Sequence, residues 1–152
     1  MCPMRLSDMD PNRKWTNIEP DLFARIAREI FPKAEEVALS CGAEPLMNPE
    51  IGKYLESLYK ADVPVREVIT NGTLLNDEYI EMLLATPPTS LFVSIDGARP
   101  ETHAGIRDGA DLTHIIDMLG KLIEKEIQVK RNFPWYPSVL LCRNATLQNS
   151  AI

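Results

Sequence analysis

Apolar residues in this chain come in short runs that end in small or polar residues, and each run is followed by a stretch with helical spacing. Val37-Ala38-Leu39 leads into Ser40-Cys41-Gly42-Ala43-Glu44-Pro45, where side-chain bulk falls almost to nothing. This predicts a strand from Glu36 to Ser40 and a turn. A helix follows from about Pro49 to Ala61, with Asn48 as N-cap and Ile51, Tyr54, Leu55 and Leu58 on its apolar face. The plan repeats with a strand over Val65 to Thr70, the tip Asn71-Gly72 and a helix from Asp77 to Ala85. Asn76 caps that helix, and Tyr79, Ile80, Leu83 and Leu84 face inward. It repeats again with a strand over Ser90 to Ile95, the tip Asp96-Gly97 and a helical stretch from Pro100, interrupted at Gly105 and Gly109. The main helix of this unit runs from about Leu112 to Lys125, with Ile115, Ile116, Leu119 and Leu122 on one side. Ahead of the repeats, residues 5 to 19 read as irregular. Pro20-Asp21 opens a helix to about Phe31, with Leu22, Phe23, Ile26 and Ile30 on one face and Arg25, Arg28 and Glu29 opposite.

Strand–tip–helix units in succession, spaced roughly 25 to 30 residues apart, mean parallel pairing through right-handed crossovers. A doubly wound sheet and a β/α barrel both satisfy the pattern. The continuous apolar runs Val37-Ala38-Leu39 and Leu91-Phe92-Val93 predict strands covered on both faces. Towards the end, Ile127 to Arg131 reads as the start of a further strand. Asn132-Phe133-Pro134-Trp135-Tyr136-Pro137 breaks it, and Ser138 to Leu141 begins another apolar run. With no closing helix in view, the expectation is an α/β domain incomplete at both ends, with an exposed apolar edge where further strands belong.

Composition narrows the function. With 152 residues the chain suits one domain, and a net charge of -6 with scattered basic residues argues against a nucleic-acid-binding face. No apolar run reaches membrane-spanning length, and Met1-Cys2-Pro3-Met4-Arg5 lacks the apolar core of a signal peptide, so the cytoplasm is the expected compartment. Cys2, Cys41 and Cys142 are odd in number and far apart, which makes a disulfide framework a poor fit.

In either topology the strand tips emerge on one edge of the sheet, which gathers Glu44, Asn71, Ser94 with Asp96, and a little later Arg107. Each has a plain structural reading beside a functional one. Glu44 either caps a helix or accepts from an amine. Asn71-Gly72 is either a tight turn or a contact to a sugar or carboxylate. Ser94 and Asp96 either close a turn or hold a polar ligand, and Arg107 is either solvated surface or the partner of a carboxylate. His103 and His114 lack metal-site spacing and read as structural; Cys41 and Cys142 read as small buried residues.

Taken together, Leu39-Ser40-Cys41-Gly42-Ala43-Glu44-Pro45-Leu46, Thr70-Asn71-Gly72-Thr73-Leu74-Leu75 and Val93-Ser94-Ile95-Asp96-Gly97, followed by His103 and Arg107, resemble the radical S-adenosylmethionine (radical SAM) superfamily. The resemblance runs from Cys2 to about Asn144. It is closest to the branch with C-terminal SPASM-type domains for auxiliary clusters. It implies a partial (β/α)6 TIM-like barrel and a 4Fe-4S cluster held by three cysteines in a C-x3-C-x2-C loop. The cluster reductively cleaves S-adenosylmethionine to a 5'-deoxyadenosyl radical. By position Cys2 resembles the third cysteine of that loop, so residues 1–152 read as a partial core domain that lacks the first strand, the other two cysteines and the last unit. Gly42, Ala43, Glu44 and Pro45 match the Gly-x-Gly-Glu-Pro motif that grips the methionine amine, with Cys41 and Ala43 standing where glycines are usual. Asn71 matches a tip near the ribose and methionine; Ser94, Asp96 and Arg107 match positions near the methionyl carboxylate and ribose. Tyr136 to Asn144 resembles the family's fifth strand. The implied partners are the small-molecule cofactor, an unidentified substrate and a reductant such as a flavodoxin or ferredoxin, with neither nucleic acid nor membrane.

Two other readings compete with this one. A catalytically silent β/α binding or scaffold module without a cluster would use the tips for a small ligand or for nothing. An aldolase or sugar isomerase would need a lysine or a metal-ligand set at the strand ends, and neither is in the sequence.

Overall fold

The computed structural model describes residues 16–39, 43–132 and 140–144, with the backbone alone for 131, 132 and 140–144. In these residues β1 (Glu36–Ala38), β2 (Val65–Thr70), β3 (Ser90–Ile95) and β4 (Leu140–Asn144) form one sheet in the order β1-β2-β3-β4, every neighbouring pair parallel. Strand order equal to chain order separates the two topologies that the sequence pattern leaves open. A doubly wound sheet reverses its order at a switch point and so places helices on both faces; an unreversed order places every crossover on the same face. This sheet is therefore an arc of a singly wound β/α barrel, and the partial-barrel expectation holds.

Burial shows which face carries the helices. Val68 and Thr70 of β2 and Leu91 and Val93 of β3 are buried. Val68, Leu91 and Val93 pack with Leu55 of α2 (Ile51–Lys60), Ile80 and Leu83 of α3 (Asp77–Ala85), and Ile115, Leu119 and Leu122 of α5 (Leu112–Asn132). The alternate positions look to the other side, and there Ile69 is 37% exposed and Ala38 is exposed. The expectation of a strand covered on both faces is thus corrected for β1, where Ala38 is exposed; Phe92 of β3 is half-buried. The apolar character of Val37 and Leu39 is used on the helical side, where both pack against Phe31, Leu58 and Val63. α1 (Pro20–Glu29) joins this smaller cluster through Phe23 and Ile26, and Phe23 stacks on Tyr54 with ring centroids 3.7 Å apart.

The helices follow their punctuation with some shifts. Asn76 caps α3 by accepting from the Tyr79 N–H, as its position predicts. Asn48 does not cap α2. Its Oδ1 takes the Glu50 N–H at 2.9 Å, one turn early, and Glu50 is the N-cap residue. In α1, Leu22 and Ile30 lie exposed, so that apolar stripe is narrower than its spacing suggests. Ile116 of α5 is likewise 51% exposed, and only Ile115, Leu119 and Leu122 of the expected face are buried. Gly105 lies inside α4 (Pro100–Ile106) rather than ending it; the break comes at Gly109, whose φ is +80°. The largest correction concerns Ile127 to Arg131, which continue α5 instead of starting a strand. Glu126 is buried and pairs with Lys130 one turn on, a spacing that only a helix brings together. β4 then supplies the strand expected further along, with Val93 opposite Cys142 and Ser94 opposite Arg143.

The amino-terminal ends of the strands are closed by Arg66, which is buried. Its Nη1 donates to the Val63 carbonyl at 2.6 Å, its Nε and Nη2 reach the Pro87 carbonyl at 3.4 Å, and the guanidinium lies over the Tyr59 ring. Val63 itself ends the left-handed turn that terminates α2. Asp62 takes φ +53°, the Val63 N–H bonds the Leu58 carbonyl, and the Asp62 N–H bonds the Tyr59 carbonyl. Across the helical layer α5 is tied to α3 by Lys121 with Asp77 and Lys125 with Glu81. The Glu81 carboxylate raises the Lys125 amine above its ordinary pKa. Among the described residues no helix is long and apolar enough to cross a membrane.

Candidate functional site

The carboxyl-terminal ends of the strands are built around Glu44. It precedes a 3-10 turn at Pro45–Met47 and caps it, its Oε1 accepting from the Leu46 N–H at 3.2 Å. Pro45 and Leu46 are buried, and Tyr79 of α3 donates its hydroxyl to the Leu46 carbonyl at 2.7 Å, so the turn is anchored from beneath. The carboxylate reaches across to the next strand. Oε1 accepts from the Thr70 hydroxyl at 2.6 Å and Oε2 from the Asn71 N–H at 2.7 Å. Glu44 therefore caps a helical turn, as one of its sequence readings has it, and also bridges the loop after β1 to the end of β2, which neither reading contained. Three donors fill three of the roughly four lone-pair positions of a carboxylate, and the free one is on Oε2.

Thr70 is the hub of this corner. Its hydroxyl gives its proton to Glu44 and accepts from the Gly72 N–H at 3.0 Å. Asn71 turns its Oδ1 inward to accept from the N–H and hydroxyl of Thr73, at 2.9 and 2.6 Å, which leaves its amide nitrogen to donate. The turn needs glycine next. Gly72 has φ +77°, and a Cβ there would lie 3.0 Å from Val93 and 3.1 Å from Ile115. Thr70 pairs with Val93 in the sheet register, so Asn71 and Ser94 follow at the same level on adjacent strands. Ser94 is half-buried there.

The tip of β3 forms a second corner. Arg107 donates through Nε to Asp96 Oδ2, with side chains 33% and 15% exposed, which corrects the reading of Arg107 as solvated surface. Its terminal nitrogens are left to donate further. The Asp96 N–H points to Nδ1 of His103, which is fully buried on α4. His114 is used differently: its Nε2 meets the Leu75 carbonyl at 2.9 Å, under the β2 tip. The structure thus places Glu44, Pro45, Asn71, Ser94, Asp96 and Arg107 on one rim, with Ala43 exposed beside them. Cys2, Cys41 and Gly42 lie outside the described residues, as does the side chain of Cys142. Thr70 and His103 are the two residues that hold the rim and that the sequence did not mark as part of it. The available signal for Thr70 was a hydroxyl on the core-facing side of an apolar strand, directly before Asn-Gly. The surface groove between α2 and α3, lined by Ile51, Gly52, Tyr79 and Met82 among others, lies on the helical side and takes in none of the rim residues.

Residues 1–137 match the family model of the radical SAM superfamily. The chain belongs to the radical SAM superfamily. It is also similar to an AdoMet-dependent heme synthase of Methanosarcina barkeri (strain Fusaro / DSM 804), 39% identical over 80 residues, which is 52% of this chain and 22% of that protein. The chain thus matches under a quarter of the length of this curated relative. Membership of this superfamily implies S-adenosylmethionine and iron–sulfur radical chemistry. Among the described residues there is no group of three or more His, Cys, Asp or Glu that would hold a metal ion. They therefore do not by themselves furnish a cluster site, and the cysteine that resembles a ligand, Cys2, lies outside them.

Proposed function

We propose that this chain is the S-adenosylmethionine-binding part of a radical SAM core, working within a longer enzyme. Ala43, Glu44 and Pro45 form one side of the binding rim, with Gly42 assigned to the same motif by its sequence; Asn71, Ser94, Asp96 and Arg107 form the other. Cys2 is the cluster ligand in this proposal, and a reductant such as a flavodoxin or ferredoxin is the partner. Cys2 would be one ligand of a 4Fe-4S cluster, which when bound would supply the electron for reductive cleavage of the sulfonium; the described residues would serve the cofactor's polar groups.

The observation that carries this reading is the unused capacity of the rim. Glu44 keeps one acceptor position on Oε2, beside the Asn71 backbone. An ammonium group has the matching donor. Arg107 has spent Nε on Asp96 and keeps its planar end, a fit for a carboxylate. Asp96 offsets the guanidinium charge and keeps that end from swinging away. Amine and carboxylate acceptance on one rim is what an amino-acid moiety requires.

Isothermal titration of the chain with S-adenosylmethionine tests the proposal. Saturable binding is expected, weakened roughly tenfold or more by Glu44→Gln and by Arg107→Met, each of which removes a charge-assisted contact. A folded chain that shows no binding overturns the proposal and leaves the silent β/α module.

A further inference from the structure

We infer that His103 is a positioning residue for the rim: its neutral imidazole, with the proton on Nε2, fixes Asp96 so that Asp96 and Arg107 act as one preset unit. A backbone N–H has only a proton to offer, so the Asp96 N–H at 3.3 Å requires Nδ1 to be the bare nitrogen. The ring proton then sits on Nε2. That nitrogen is buried and has no hydrogen-bond partner among the described residues. Leaving a buried donor unsatisfied is unfavourable, and an apolar side chain of similar size would avoid it. What histidine adds over such a side chain is the acceptor for Asp96.

The connections close on themselves. His103 receives the Asp96 N–H through its ring and the Arg107 N–H through its carbonyl, the latter at 2.8 Å, while Arg107 returns to Asp96 through Nε. Three residues on two elements thereby fix one another's orientation. The approach of α4 to the strand tip depends on Gly97, where a Cβ would fall 2.8 Å from the His103 nitrogen and 2.9 Å from Thr102 Cβ. The close contact is thus a backbone-level feature of the β3 tip. His103 is fully buried, so in this inference it acts through Asp96 and Arg107.

The test has three measurements on the full chain. In the unaltered protein, imidazole 15N resonances at neutral pH are expected to show Nε2 protonated and Nδ1 bare; a proton on Nδ1, or a charged ring, overturns the inference. Proton exchange at Arg107 Nε is then compared in His103→Asn, whose side-chain oxygen restores an acceptor near Nδ1, and His103→Leu, which restores none. Exchange roughly tenfold faster in His103→Leu and near the unaltered rate in His103→Asn is expected; equal rates in both overturn the inference. Should His103→Leu not fold, the tautomer measurement decides alone. S-adenosylmethionine affinity, which rests on the proposed function, should fall in His103→Leu and recover in His103→Asn; equal affinity in the two, both folded, overturns the inference. If the unaltered chain binds no S-adenosylmethionine, the proposed function fails while the first two measurements still judge His103.

Discussion

The two ends of the sheet are both held by charged side chains, but the charges are used in opposite ways. At the amino-terminal end, the Arg66 guanidinium is enclosed and donates to two backbone carbonyls, Val63 and Pro87, with Tyr59 over its face. At the carboxyl-terminal end, Glu44 bridges two strands and keeps an acceptor position, and Arg107 pairs with Asp96 and keeps its terminal nitrogens. A group buried among the chain's own acceptors can only stabilise. A group held in place with capacity left over can also bind. The same division between a closed end and an open end is what parallel β/α folds use to separate stability from chemistry.

Four substitutions press on this contrast. Arg66→Leu should have the largest effect, about 2–4 kcal/mol of stability in urea unfolding, because two buried carbonyls lose their donor. Ligand affinity of the folded fraction should not change; if it falls as well, the two ends are coupled and the contrast breaks. Gly72→Ala should lose about 2 kcal/mol, since it combines a left-handed backbone with contacts already too short for a Cβ. Unlike Arg66→Leu, it should also weaken S-adenosylmethionine binding, because the Asn71 tip moves with it. Glu44→Gln should lose about 1–2 kcal/mol, as one charge-assisted bridge is weakened. Hydrogen exchange should show the loss locally, with faster exchange at the Asn71 amide and no change at Val68. Asp62→Gly, at the closed end, should gain about 0.5–1 kcal/mol by relieving the left-handed residue of the α2 terminus, with no effect on binding.

Much of this fold is legible in the sequence where punctuation and periodicity agree. β2, β3 and α3 fall on their expected residues because Asn71-Gly72, Asp96-Gly97 and Asn76 mark their boundaries. Ile127-Gln128-Val129 is a harder case. Its alternation fits a strand, and the pairing of Glu126 with Lys130 one turn on belongs to the helix that runs through it instead. The count of covered faces was also beyond a linear pattern, since Val37 and Leu39 use up their apolar character on one side. At the site, tips are legible because small and polar residues follow apolar runs. Thr70 and His103 are not, because each matters through a partner on a different element: Glu44 from the preceding loop for one, the Asp96 backbone for the other.

The bridge from Glu44 to the Thr70 hydroxyl and the Asn71 amide has a thermodynamic consequence for any guest of this rim. The loop after β1 and the end of β2 are already at fixed separation before anything arrives. Little conformational freedom remains there to be lost on association, so more of each new contact is retained as affinity.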